Sequence, residues 1–232
     1  MTDVALPEPG QIHVWQRSLS ISATEREALL ELLDSGERDR AHRFVFERGR
    51  NAYIASHGWL RTLLSGYLRV DPREIHFVLG QRGKPAIPGF PLHFNLSHSG
   101  TMAACAVTRE IEVGIDIEQI RPMDDIENIA RRFFHAEECR KLLALPQQEH
   151  ALAFFRCWTR KEAYIKAIGD GLFAPLDGFE VTLAPAEPVA FVQIDNRPAA
   201  AEWSLFEFDA GPDYAGAVAV RGCGWSVLSV AG

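Results

Sequence analysis

Apolar residues along this chain fall into runs whose period changes from segment to segment. The stretch from Ile12 to Arg17 reads as an opening strand. Thr24 followed three residues later by Glu27 forms a capping-box pattern, and Leu29 to Leu33 supply an apolar face, so a short helix is predicted there. Between Glu37 and Leu68 the apolar residues Ala52, Trp59, Leu60, Leu63 and Leu64 recur at three- and four-residue steps, a helical pattern that Gly49 divides in two. The runs 75–79, 92–96, 102–108 and 113–118, bounded by Gly, Pro and Ser, read as strands. Helices are predicted over 126–145 and 148–168, and strands again near 179–183, 190–194, 203–208, 214–221 and 225–230.

Each half of the chain thus runs from helices into a meander of strands. The two halves echo each other, since MAACAVT at 102–108 resembles YAGAVAV at 214–220. The expected fold class is α+β, with two similar lobes over residues 1–112 and 113–232.

Composition narrows the classes of function. With 47% hydrophobic residues, a chain of 232 residues has ample material for a core. A net charge of −7 provides no general basic field for a polyanion, so no nucleic-acid partner is expected and any phosphate must be held locally. Cys105, Cys139, Cys157 and Cys223 are far apart with no C-x-x-C pair, which argues against zinc and against a disulfide framework. The opening MTDVALPEPG lacks the pattern of a signal peptide, and the uncharged stretch 85–108 is too broken by proline and polar residues to span a membrane. A cytoplasmic protein without a membrane partner is expected.

Three segments carry candidate chemistry. In VGIDIEQI, strand alternation puts Asp116 and Glu118 on one face and Ile115 and Ile117 on the other. Side-by-side carboxylates disfavour each other unless a cation intervenes, and hard oxygen ligands suit Mg²⁺, although such a pair on its own also fits a solvated strand face. In FFRCWTRKEAYIKAIG, Glu162 falls inside the apolar arc of Phe154, Trp158 and Ile165, with Lys166 one turn on; a plain i,i+4 pair is the bland alternative. In RGKPAIPGFPLHFNLSHSG, Lys84 sits in a Gly- and Pro-bounded turn, and Ser97 with His98 closes a strand ahead of Gly100, a group of donors suited to a diphosphate. A basic run, Arg38, Arg40, Arg43, Arg48 and Arg50, reads either as a solvated helix face or as a phosphate grip.

Taken in order, G-K-P, F-N-L-S-H-S, G-I-D-I-E and W-T-x-K-E-A-x-x-K closely resemble the 4′-phosphopantetheinyl transferases of the large, surfactin-synthetase-activating type. The resemblance implies a monomer of two pseudo-symmetric α+β lobes with the active site in the cleft between them. It implies Mg²⁺ on Asp116, Glu118 and Glu162, and coenzyme A held by Ser97, His98 and Lys166 at its phosphates and by Gly83, Lys84 and Pro85 at its adenine and ribose. Arg40 matches a basic residue for the 3′-phosphate. A second basic residue three positions earlier in some relatives is Glu37 here, which leaves Arg43 as the first candidate to assist Arg40.

The reaction so implied is attack by a serine hydroxyl of an apo acyl or peptidyl carrier protein on the β-phosphorus of coenzyme A, with adenosine 3′,5′-bisphosphate leaving. Serine needs a general base, for which Glu162 serves directly or through a bound water, with Asp116 a metal ligand and Lys166 stabilising charge. The alternatives are a metal-dependent phosphodiesterase or nuclease, disfavoured by the net charge, and a non-catalytic coenzyme A-binding regulator, which would not need three carboxylates.

Overall fold

Residues 4–80, 82–109, 111–169, 175–185, 187–195, 197–198 and 202–230 are described by a computed structural model. The opening strand is β1 (Gln11–Ser18), followed by α1 (Ala23–Leu32). Its cap is Ser22, whose hydroxyl accepts from the Glu25 N–H at 3.1 Å, two residues ahead of the expected Thr24. A complete capping box instead opens α2 (Ser35–His42), where Asp34 and Glu37 satisfy each other's backbone N–H groups.

The helical region expected from Glu37 to Leu68 divides not at Gly49 but across Arg43–Phe46, before α3 (Glu47–Leu68). Gly49 lies in the first turn of α3, with the Phe44 ring against it. The expected strand 75–79 shrinks to β2 (Val78–Leu79), which pairs with β3 (Pro85–Ala86).

The strands that carry the site follow: β4 (His93–Ser99), β5 (Met102–Thr108) and β6 (Val113–Gln119). The helix expected over 126–145 is two, α4 (Ile126–Phe133) and α5 (Ala136–Ala144), because His135 acts as a cap: its ring nitrogen accepts from Glu137 N–H while its own N–H donates to Glu138 at 2.8 Å. Then come α6 (His150–Ile168), β7 (Phe179–Val181), β8 (Phe191–Ile194), β9 (Arg197–Pro198), β10 (Trp203–Glu207), β11 (Tyr214–Arg221) and β12 (Ser226–Val230).

Two main sheets have the orders β12-β1-β5-β4 and β10-β11-β6. Both use one plan: a strand, a long helix, then two strands of which the last lies in the middle. The first series is β1, α3, β4, β5 and the second β6, α6, β10, β11. The two echo segments, β5 and β11, occupy the same central place in their sheets. The C-terminal strand β12 returns to lie parallel beside β1, so the first sheet also holds the end of the chain.

The sheets stack face to face. Ile12 and Val14 of β1, Ala104 and Ala106 of β5, Ile115 and Ile117 of β6 and Val218 and Val220 of β11 form the core between them. The outer face of the first sheet packs on α3 through Trp15, Phe94, Trp59 and Leu63, and that of the second on α6, α4 and α5 through Phe154, Ile165, Ala217 and Leu142. The result is a four-layer α–β–β–α arrangement driven by burial of alternating strand residues on both faces. No helix among the described residues is long and apolar enough to cross a membrane.

Candidate active site

The catalytic candidates are brought together by a close approach of α6 to β6. A Cβ on Gly114 would lie 2.0 Å from the Ala163 carbonyl oxygen and 2.3 Å from the Ala167 nitrogen, so only glycine lets the helix backbone rest on the strand. Gly114, Asp116 and Glu118 share that helix-facing side of β6, as alternation requires, while Ile115 and Ile117 enter the inter-sheet core.

The rotation of α6 is set one residue before Glu162. Lys161 is fully buried and its ammonium group meets Glu138 at 2.8 Å and the carbonyl oxygens of Leu176 and Phe179 at 2.7 Å each. Glu138 also accepts from Val181 N–H at 2.7 Å. A buried pair with all its hydrogen bonds made is costly to break from one side, so it holds α6 in register. Glu162, about 100° around the helix from Lys161, then reaches the carboxylates of β6.

Asp116 is almost fully buried. Its Oδ1 accepts from Lys166 Nζ at 2.6 Å and from Ser97 Oγ at 2.8 Å, and Lys166 also donates to Ser97 Oγ at 2.9 Å. Its Oδ2 is buried with no hydrogen-bond partner. Ser99 Oγ donates to Glu118 at 2.6 Å. Burial, then repulsion from Asp116 and Glu118, pushes the Glu162 carboxyl above its ordinary pKa against the pull of Lys166. Burial and the charge of Asp116 likewise raise Glu118, against the Ser99 hydrogen bond. Among the described residues, no three His, Cys, Asp or Glu side chains stand close enough to make a ready metal cluster. Lys166 pairs with Asp116, the most buried of the three carboxylates.

A second group gathers on the first half of the chain. A cavity of about 350 Å³ is lined by Arg40, Arg43, Gly83 and Pro85 together with Tyr53, His57, Phe77 and Glu37. Lys84, between its two lining neighbours, turns the other way and hydrogen-bonds Glu112 and, at 2.9 Å, the Val113 carbonyl. His98 lies on the face of β4 opposite Ser97, at the cleft surface, where enclosure by the surrounding chain and then the charges of His57 and Lys166 hold its pKa below the ordinary value. It stands within electrostatic reach of both groups.

Ser97 and Lys166, expected at a phosphate, are thus engaged with Asp116 here, whereas Arg40, Arg43, Gly83 and Pro85 share one cavity. Several residues at the site are additional to those expected. Asn95 Oδ1 accepts from Ile115 N–H at 2.9 Å and Ser99 Oγ from Gln119 N–H at 3.1 Å, so Asn95, Ser97 and Ser99, on alternate positions of β4, stitch the edge of one sheet to the edge of the other. The signal was the polar alternation N-x-S-x-S itself. Gly100 turns the chain with φ 57°, and a Cβ there would meet Gln119 and the Tyr214 hydroxyl at 2.5 and 2.8 Å.

Comparison with known proteins fits this arrangement. A family model described as the 4′-phosphopantetheinyl transferase superfamily matches residues 112–219, and one described as the N-terminal part of 4′-phosphopantetheinyl transferase matches residues 18–110. The chain is 41% identical over 231 residues to the 4′-phosphopantetheinyl transferase HetI of Nostoc, covering 95% of this chain and 94% of that one. This chain belongs to the 4′-phosphopantetheinyl transferase superfamily. The transferase is also 32% identical to Sfp of Bacillus subtilis over 82% of its own length and 84% of that relative, and 40% identical to AcpT of Salmonella typhimurium over 60% and 71%. It is accordingly an enzyme that transfers a phosphopantetheinyl group, and the nuclease and binding-regulator alternatives fall away.

Proposed function

We propose that this transferase moves 4′-phosphopantetheine from coenzyme A to a serine of an apo acyl or peptidyl carrier protein, releasing adenosine 3′,5′-bisphosphate, in the cleft between lobes 1–112 and 113–232. The observation that carries this reading is the pairing of a cavity bearing Arg40 and Arg43 with the buried Asp116 and its partly buried neighbours Glu118 and Glu162, with His98 in reach of both. The two sites match the two ends of the substrate's adenosine and diphosphate portion.

Arg40 and Arg43 supply forked donors for the 3′-phosphate, and Gly83 and Pro85 offer a backbone wall for the base and ribose. The carboxylate set fits a hard divalent cation, because Asp116 Oδ2 is buried and unbonded and both Glu118 and Glu162 are raised by crowding and burial. Asp116, Glu118 and Glu162 would hold Mg²⁺, which when bound supplies positive charge against the diphosphate.

Glu162 takes the proton from the carrier serine as its Oγ bonds to the β-phosphorus and the bond to the departing bisphosphate breaks. A carboxylate placed at the reacting hydroxyl can accept that proton directly or through a bound water. Lys166, already poised over Ser97 and Asp116, donates to charge that builds on the phosphate oxygens. Ser97 orients Asp116, and His98 contributes a donor from the opposite face of the strand.

We read the enzyme as a monomer in the cytoplasm, a setting in which its free thiols are stable, with no nucleic-acid or membrane partner given its net charge of −7. The test is intact mass spectrometry of an apo carrier protein incubated with the enzyme, coenzyme A and Mg²⁺. A mass gain equal to phosphopantetheine is expected, and an unchanged carrier would refute the reading.

A further inference from the structure

In the nucleotide cavity, the residue at the position where some relatives carry a second cation is an acid, Glu37, which should repel a phosphate. Its surroundings remove that difficulty. Burial alone would raise the Glu37 carboxyl, but the His57 hydrogen bond and the Arg61 guanidinium hold it below the ordinary range, so it stays ionised. Arg61 Nε donates to Glu37 Oε2 at 2.6 Å, and Arg61 NH2 reaches the cap residue Asp34 at 2.8 Å. One arginine therefore faces two carboxylates, and the second oxygen of Glu37 is left for another donor.

His57 fills that position. Its Nδ1 lies 3.2 Å from Glu37 Oε1, and its ring stacks on Tyr53 with centroids 4.0 Å apart and planes at 27°. The ring lines the cavity beside Arg40 and Arg43, and Arg40 lies over the same Tyr53 ring at 5.5 Å. A carboxylate only accepts, so Nδ1 must carry the proton of that hydrogen bond, which orients Nε2 as the remaining nitrogen.

We propose that His57, oriented by Glu37 and Tyr53, is a further cation of the nucleotide cavity and grips the 3′-phosphate of coenzyme A alongside Arg40. This rests on the reading of the cavity as the coenzyme A site. With Nδ1–H committed to Glu37, Nε2 can donate to a phosphate oxygen only if it too carries a proton, so binding of the 3′-phosphate draws a proton onto the ring. The groups that face His57 and set this linkage are Glu37 and Arg40 from α2, Tyr53 and Arg61 from α3 and His98 from β4. Glu37 thereby acts through the histidine as the indirect counterpart of the missing basic residue.

Calorimetric titration of the whole enzyme, in two buffers of different ionisation heat, counts the protons taken up on binding. Coenzyme A should bind with net proton uptake and 3′-dephospho-coenzyme A with less, and this comparison needs no variant. Equal uptake for both ligands would overturn the proposal. His57→Asn keeps a donor near the Nδ1 position for Glu37 but removes Nε2. It should bind coenzyme A about tenfold more weakly, since a charge-assisted hydrogen bond is lost, lose the extra proton uptake, and leave 3′-dephospho-coenzyme A unaffected. If His57→Asn retains the full preference for the 3′-phosphate, His57 only supports the fold. Failure of the wild type to bind coenzyme A at all would instead remove the cavity assignment on which the proposal stands.

Discussion

Where β1 meets α3, the strand's polar groups are neutral and mutually satisfied. Trp15 Nε1 donates to the Tyr67 hydroxyl at 2.7 Å, that hydroxyl lies 2.7 Å from His13 Nδ1, and His13 Nε2 meets Gln11 at 2.9 Å. Where β6 meets α6, the topologically equivalent residues are Gly114, Asp116 and Glu118, facing Glu162 and Lys166. One carboxylate oxygen there has no partner, and two carboxyl groups are pushed up by burial and repulsion. One strand–helix plan thus yields a closed structural network in the first lobe and an unbalanced anionic site in the second. The α6 interface carries a charge imbalance that the α3 interface avoids.

The largest expected consequence falls on the charged interface. Glu162→Gln should lower carrier modification roughly a thousandfold, in line with loss of a general base, as followed by single-turnover mass spectrometry. Its fold should hold. Glu118 and Glu162 have raised folded pKa values, so their contribution to stability is fully present at pH below their ordinary value and is lost as pH rises through the raised ones. As pH rises from about 4.5 to neutrality the metal-free wild type should therefore lose stability relative to Glu162→Gln, and Mg²⁺ should recover part of that loss. An equal slope in the two proteins would mean that the carboxylates do not repel.

Gly114→Ala attacks the geometry that distinguishes the second lobe. Forcing a methyl group against the Ala163 and Ala167 backbone should cost about 3 kcal/mol in denaturant unfolding, and it should depress transfer as Glu162 retreats from Asp116. A variant of wild-type stability would show that α6 can shift freely.

The smallest effect belongs to the neutral network. Tyr67→Phe leaves the Trp15 N–H and His13 Nδ1 unpaired in the core, for about 1–2 kcal/mol, with the transfer rate unchanged. Burial lowers the His13 pKa, so its folded form resists protonation; the stability this provides is present above its ordinary pKa of about 6.5 and is lost as pH falls through the lower folded value. Acidification below about 6.5 should lower the melting temperature of wild type more than that of His13→Gln. Equal slopes would show that His13 titrates as if exposed.

Alternation was sufficient to place Asp116 and Glu118 on one face and helical spacing to set Glu162 inside the apolar arc of its helix, and the strands β5, β6 and β11 match their expected runs closely. Caps were less legible. His135 is an unusual capping residue, so the break between α4 and α5 carried no standard signal, and Ser22 competes with Thr24 two positions away for the same role. The division before α3 comes at Arg43–Phe46 because the preceding helix ends there, one turn ahead of the glycine that looked like the breaker.

By itself the sequence determined which side chains share a face, because that follows from the fixed periods of strand and helix, and it determined the order in which the site's segments arrive. Tertiary structure alone decided which faces meet. Residues nineteen apart, such as Ser97 and Asp116, or fifty apart, such as Lys166 and Asp116, come into hydrogen-bond contact only because two sheet edges abut and a glycine admits a helix backbone. The same holds for Glu37, whose charge read as a defect at a phosphate site: only the packing of α2 on α3 supplies Arg61 and His57 to offset it. Local periodicity is written in neighbouring residues, whereas a charge's effect depends on the dielectric and partners that distant parts of the chain bring to it.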